Sequence, residues 1–225
     1  MLKKIIATSL VATALIFSGC GDEDGEDFLK AQHSIDVGDT STAIALLEAT
    51  PAEQRTDAQN VQLGSAYMSE AGYSVLDVVG TMASGVDDTS GDDALETFKN
   101  LMLPDDINKT ATLESIDAAI DSYKLVVGDS NASSVDDLGD NELSLGLAYM
   151  VKVSILLDNN TSTPEANEDL ANTLTDAFYF VAAVGNDDMA ADIETMKAEA
   201  FFDGDTVAAE TGDIDASVIA NYLGQ

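Results

Sequence analysis

The chain has 225 residues and a formal net charge of −33, from 42 acidic and nine basic side chains. So strong an acidic excess excludes nucleic-acid partners, because binding a phosphate backbone depends on lysine and arginine neutralising phosphates. A hydrophobic fraction of 45% excludes a chain disordered throughout, and one cysteine excludes an intramolecular disulfide.

Lys3 and Lys4 open the chain, and the apolar run Ile5 to Phe17 follows. That run is shorter than the ~20 residues a helix needs to cross a ~30 Å hydrocarbon core. It reads as a secretory signal, with a charged head, an apolar middle and small residues at the cut. Phe17-Ser18-Gly19-Cys20 resembles the lipobox of bacterial lipoproteins, with Phe17 where leucine is commonest. The resemblance implies that residues 1–19 are a lipoprotein signal peptide and that Cys20 is the lipidated residue. Its palmitate-type acyl chains would hold the protein on a membrane, each buried methylene contributing ~0.8 kcal/mol. Many Gram-negative lipoproteins are retained at the inner membrane by aspartate directly after the cysteine. Gly21 stands there, so the resemblance implies a cell-envelope protein on the outer membrane, facing the periplasm.

Residues 20–27 contain five acids after Gly21 and no apolar side chain beyond Cys20, which predicts a solvated tether. From Phe28 the pattern turns helical: Phe28, Ala31 and Ile35 share a face, and Gly38 supplies a stop. Thr40 or Ser41 caps a second helix carrying Ala43, Ile44 and Leu47, forming a hairpin about Val37-Gly38-Asp39. Thr50-Pro51-Ala52-Glu53 combines a cap residue, proline at the first helical position and an acid two residues on, a helix start signal. The main helix runs from near Asp57 to Ala71 and ends at Gly72, and Ser74 with Asp77 opens another from Val75 to Ala83.

Val86 to Asp93 reads as an acidic loop, and Leu95, Phe98 and Met102 as a short helix stopped by Pro104. Leu113, Ile116, Ile120, Tyr123 and Val127 recur at steps of three and four up to Gly128. After a polar loop from Asp129 to Asp140, Leu143, Leu147, Met150 and Ser154 keep the helical period into Ile155 and Leu157. Thr163-Pro164 restarts the chain, and Leu170, Leu174, Ala177 and Val181 line one face up to Gly185. Met189, Ile193, Met196 and Ala200 repeat the spacing, and a last helix spans Asp215 to Leu223. No strand alternation interrupts this, so residues 28–225 are expected to form one all-α domain.

One string occurs twice: Leu63-Gly64-Ser65-Ala66-Tyr67-Met68 returns as Leu145-Gly146-Leu147-Ala148-Tyr149-Met150. Upstream of each lies an Ala-Ile pair, Ala43-Ile44 and Ala119-Ile120. Over residues 28–83 and 113–158 this resembles tetratricopeptide (TPR) repeats, whose first helix carries L-G-x-x-Y and whose second carries small and aromatic residues. The consensus tryptophan is missing and the 34-residue period is not kept. The resemblance, shared with degenerate TPR-like bacterial lipoproteins, implies an antiparallel array of helical hairpins. Gly64 and Gly146 would admit a neighbouring helix closely, and Tyr67 and Tyr149 would fill the gap one turn later.

Residues fit for chemistry are sparse. His33 is the only histidine, so neither a multi-histidine metal site nor a histidine triad with an available cysteine can be built in one chain. No G-x-S-x-G, phosphate-binding or dinucleotide-binding glycine motif occurs. Asp129, Asn131, Ser133 and Asp137 alternate as a calcium loop requires, but Ser134 replaces the turn glycine and Asp140 stands where a bidentate glutamate closes such loops. Asp87, Asp88, Asp92 and Asp93 lack even that spacing. Both stretches read as solvated connections, and neither a metal nor another cofactor is expected.

The expected function is therefore non-enzymatic: a membrane-anchored periplasmic scaffold that binds a protein partner. The alternatives are a TPR-like accessory of a periplasmic transport system that binds a small ligand, and a calcium-binding acidic lipoprotein. Tyr67, Tyr149, Tyr179, Phe178 and Phe180 discriminate the first two: an enclosed pore lined by them favours a small ligand, an open groove a protein.

Overall fold

In a computed structural model, the protein is described over residues 23–74, 107–127, 140–159, 163–184 and 214–223, with 99, 102, 103, 197, 198 and 201. The described residues contain seven α-helices and no strand. They are α1 (Glu23–Asp36), α2 (Thr40–Glu48), α3 (Asp57–Glu70), α4 (Lys109–Val127), α5 (Asp140–Asn159), α6 (Pro164–Val184) and α7 (Ala216–Tyr222). The expected elements over 75–98 and 185–196, and the loop Asp129–Gly139, lie outside the described residues.

Local chemistry sets most of the helix boundaries. Gly38 and Gly72 adopt φ of 79° and 89°, the left-handed region that glycine enters without steric cost. At Gly38 the bonds Gly38 N–H to the Ile35 carbonyl and Asp39 N–H to the Ser34 carbonyl close a Schellman turn. Gly72 N–H to Ser69 and Tyr73 N–H to Met68 repeat that pattern at the end of α3.

Three boundaries differ from the sequence expectation. The segment read as a tether is already helical from Glu23. Acids in a first turn favour the positive helix end, and Lys30 pairs with Glu26 at 3.0 Å and Asp27 at 3.2 Å. The cap of α2 is Asp39, whose carboxylate accepts from Thr42 N–H, and Thr40 is the first helical residue.

The start signal at Thr50-Pro51 yields only a 3-10 turn, Ala52–Gln54. Arg55 leaves the turn with ψ of 139°, and its Nε donates to the Leu47 and Thr50 carbonyls. The true start is Thr56, where a reciprocal capping box forms: Gln59 N–H donates to Thr56 Oγ1, and Thr56 N–H donates to Gln59 Oε1.

Among the described helices each packs on the next one named, from α1–α2 through α6–α7, with a lighter contact of α1 on α3. Neighbours are antiparallel where end contacts report it. Thr40 at the start of α2 bonds to Glu70 at the end of α3, and Lys109 at the start of α4 pairs with Asp158 near the end of α5. Lys152 of α5 lies between Asp117 of α4 at 3.1 Å and Asp169 of α6 at 3.6 Å. The protein is an all-α helical array.

Two apolar clusters hold the array. The smaller joins α1, α2 and α3 through Ala31, Ala43, Leu47, Leu63 and Ala66. Three of these are fully buried alanines, which bring the helix axes close and leave dispersion contacts between backbones to supply the adhesion. The larger cluster runs from α3 to α7, with Ile116, Tyr123, Leu145, Ile155 and Leu174 at its centre. Tyr67 packs against both clusters.

Candidate functional site

Tyr67 borders a concave surface. With residues of α2 and α4 it lines an open trough of about 510 Å³. Ile44 and Ala45 of α2 and Ala118 of α4 form its apolar lining; Ser41 and Ser115 add hydroxyls. Three helices each contribute one carboxylate: Glu48 from α2, Glu70 from α3 and Glu114 from α4.

Two of these carboxylates are fixed by neutral donors. The Tyr67 hydroxyl donates to Glu48 Oε1 at 2.5 Å, and the Thr40 hydroxyl donates to Glu70. Partial burial first, and then the bond to Glu48, push the Tyr67 hydroxyl up to about 12. The phenol therefore remains a donor at neutral pH. No lysine or arginine is found among the described lining residues. The described residues contain no group of three or more His, Cys, Asp or Glu placed to hold a metal ion, so the three trough carboxylates do not form one.

The predicted site residues divide. Gly64 lies beneath a neighbouring helix: a Cβ placed on it would lie 2.7 Å from the Tyr123 ring of α4. Gly146 is buried in α5. Tyr149 is buried, its ring stacked on Phe180 of α6 at 6.0 Å with 6° between planes, and the Lys124 ammonium lies 5.8 Å from its centroid.

The five aromatics do not gather about one pore. Phe178 and Phe180 are core residues and Tyr179 meets Phe180 edge-on at 5.1 Å; only Tyr67 borders the trough. His33 is exposed on α1. Cys20 and four of the calcium-loop candidates, Asp129, Asn131, Ser133 and Asp137, lie outside the described residues; Asp140 is the first residue of α5.

Glu48, Glu70 and Glu114 escaped the sequence reading. In a chain with 42 acids a single glutamate carries no signal, and only the packing of α2 and α4 on α3 brings these three to one trough.

No protein-family model, characterised protein or solved structure matches the chain. No helix among the described residues is long and apolar enough to cross a membrane.

Proposed function

We propose that the protein is a non-enzymatic, lipid-anchored scaffold of the cell envelope. In this reading Cys20 is acylated and a TPR-like array offers the α2–α3–α4 trough to a protein partner. The single observation that carries the choice of partner is the trough's form: it is open to solvent, with Tyr67 among its lining residues, while Tyr149, Phe178 and Phe180 are consumed by core packing. Open clefts of mixed apolar and polar character suit a peptide or helix, whereas small-ligand sites bury most of the ligand surface.

Packing supports the TPR-like part. The repeat pattern follows L-G-x-x-Y with A-x-x-x-F on the next helix. Gly64 on α3 meets α4, where Ala119 and Tyr123 stand four apart, both fully buried, while Leu63 packs with Ala43 and Leu47 of α2. Tyr123 fills the aromatic position and meets Gly64 directly. Ala43 and Leu47 on α2 keep the same spacing and are also buried. Close approach at a glycine followed by an aromatic filler is the packing such repeats use.

Two measurements test the proposal. Intact mass of the membrane-bound protein should show acyl groups on Cys20, and Cys20→Ser should release the protein from membranes or leave it unprocessed. A photo-crosslinking side chain at Ala45, on the trough wall, should give a discrete adduct in intact envelopes that is lost when Ala118→Phe fills the trough. The same side chain at exposed Asp121 should give none. An unmodified Cys20 in processed protein would refute the anchor, and adducts indifferent to Ala118→Phe would refute the trough as the interface.

A further inference from the structure

We infer that the outward face of α1, centred on Leu29, His33 and Val37, lies on the lipid headgroup layer of the membrane that anchors the protein. This rests on the lipid-anchor reading of Cys20 and states how the array is seated on that membrane.

Chain length brings α1 to the lipid. Only Gly21 and Asp22 separate Cys20 from Glu23, the first residue of α1. Three extended backbone steps reach at most about 11 Å. The headgroup layer is itself roughly 5–8 Å deep on each side of the hydrocarbon. A helix that begins so close to its acyl chains has too short a leash to stand clear of the surface. Leu29 lies about 9 Å along the axis from Glu23.

Exposed side chains mark the face. Among the described residues the large exposed hydrophobics are Leu29, Val37 and Leu125, and the first two lie on α1 or one residue past its end. They are 58% and 63% exposed. Val37 N–H donates to the His33 carbonyl at 3.1 Å, which carries the helical path beyond Asp36. At about 100° per residue, Leu29, His33 and Val37 fall within about 80° of one another. The opposite side carries Ala31, fully buried, with Phe28 and Ile35 packed on the same cluster. So α1 has an inner apolar face that the array covers and outer apolar positions that it leaves exposed.

Charge beside the face is locally balanced. Lys30 pairs with Glu26 at 3.0 Å and Asp27 at 3.2 Å, next to Leu29, and zwitterionic headgroups present both signs to such a pair. Two aliphatic side chains alone would not recruit a protein of net charge −33 to a membrane. Behind a two-residue leash they need only a weak contact, because anchoring makes it intramolecular and raises the effective concentration. A second copy of the chain has no such leash, which favours the lipid surface as the occupant.

The probe is the acylated full chain in phosphatidylcholine vesicles, carrying a nitroxide at Leu29→Cys, His33→Cys or Val37→Cys, with Leu125→Cys on α4 for comparison. Acylated Cys20 does not react with the label. Relaxation by oxygen, which concentrates in lipid, is read against relaxation by a water-soluble nickel complex. The oxygen-to-nickel ratio should be several-fold higher at positions 29, 33 and 37 than at 125. With Leu29→Gln and Val37→Gln combined, the ratio at position 33 should fall to that at 125 while the acyl mass is unchanged.

Nickel access at 29 and 37 equal to that at 125, in protein that floats with the vesicles, would overturn the inference alone. Protection from both agents, with dipolar broadening between chains, would overturn it by giving the face to a second copy. Protein that lacks acyl groups and fails to float would refute the anchor reading, and this inference with it.

Discussion

The ring of Tyr123 occupies the space that a side chain at position 64 would need. A Cβ on Gly64 falls 2.7 Å from Tyr123 Cε1 and 2.8 Å from Cζ. Tyr123 cannot withdraw easily, because it is fully buried and its hydroxyl lies 3.2 Å from Ser65 Oγ. The α3–α4 interface is thus set by the absence of one methyl group.

Gly64→Ala should accordingly destabilise the fold by roughly 1–3 kcal/mol, the range for overpacking a tight core. Adding Tyr123→Leu should recover part of that loss. Gly38→Ala is the informative contrast: open space surrounds the glycine and only its φ of +79° resists the change. Its cost of about 1–2 kcal/mol comes from the backbone and should be indifferent to Tyr123→Leu. Urea melts of the four variants check this, and a Gly64→Ala protein as stable as the parent would refute the close contact.

Thr56→Ala removes the hydroxyl that accepts from Gln59 N–H and breaks one arm of the capping box. Loss of such a cap costs about 0.5–2 kcal/mol. Thr50→Ala should cost less as a cap, because the turn it precedes has no side-chain capping bond. Equal losses in denaturant melts would mean that the first start signal carries the helix.

Alkaline pH should unfold the protein through its tyrosines. Burial pushes the hydroxyls of Tyr73 and Tyr123 up to about 12, as burial and Glu48 do for Tyr67, from an ordinary value of 10.0. An acid whose folded value is raised loses its proton first in the unfolded chain. The stabilisation is therefore complete below pH 10 and is lost as pH rises towards about 12. Denaturant melts across that window should show falling stability, with a shallower fall for Tyr123→Phe. Spectrophotometric titration of Glu48→Gln should lower the Tyr67 value while leaving it above 10.0, since burial is the larger cause.

Salt should stabilise the array by screening. A net charge of −33 makes the folded chain self-repelling, and the Debye length contracts to about 10 Å at 0.1 M. Sodium chloride, magnesium and calcium should raise the melting temperature according to ionic strength and valence, without a saturable calcium step. A calcium-specific rise abolished by Asp129→Ala and Asp137→Ala would make that stretch a binding site.

The starts and stops of these helices were legible in the sequence because their causes are local. Gly38, Gly72 and Asp215 act within a few residues of themselves, through a positive φ or a capping carboxylate. The all-α class follows from the same short-range periodicity. Thr50-Pro51 misled for the complementary reason: Arg55, by reaching back to the Leu47 and Thr50 carbonyls, ties down the connection between two helices, which no local signal encodes.

What only the tertiary structure decided is clearest in the two copies of the repeated string. Tyr67 and Tyr149 share the local sequence Leu-Gly-x-Ala-Tyr-Met, and both are helical. Tyr149 is buried against Phe180, whereas Tyr67 stands half-buried at the trough, bonded to Glu48. Sequence set the residue and its helix face. The neighbours, α2 and α4 for one copy and α6 for the other, decided whether that face became core or the wall of an open trough, because burial is a property of what packs from outside the helix.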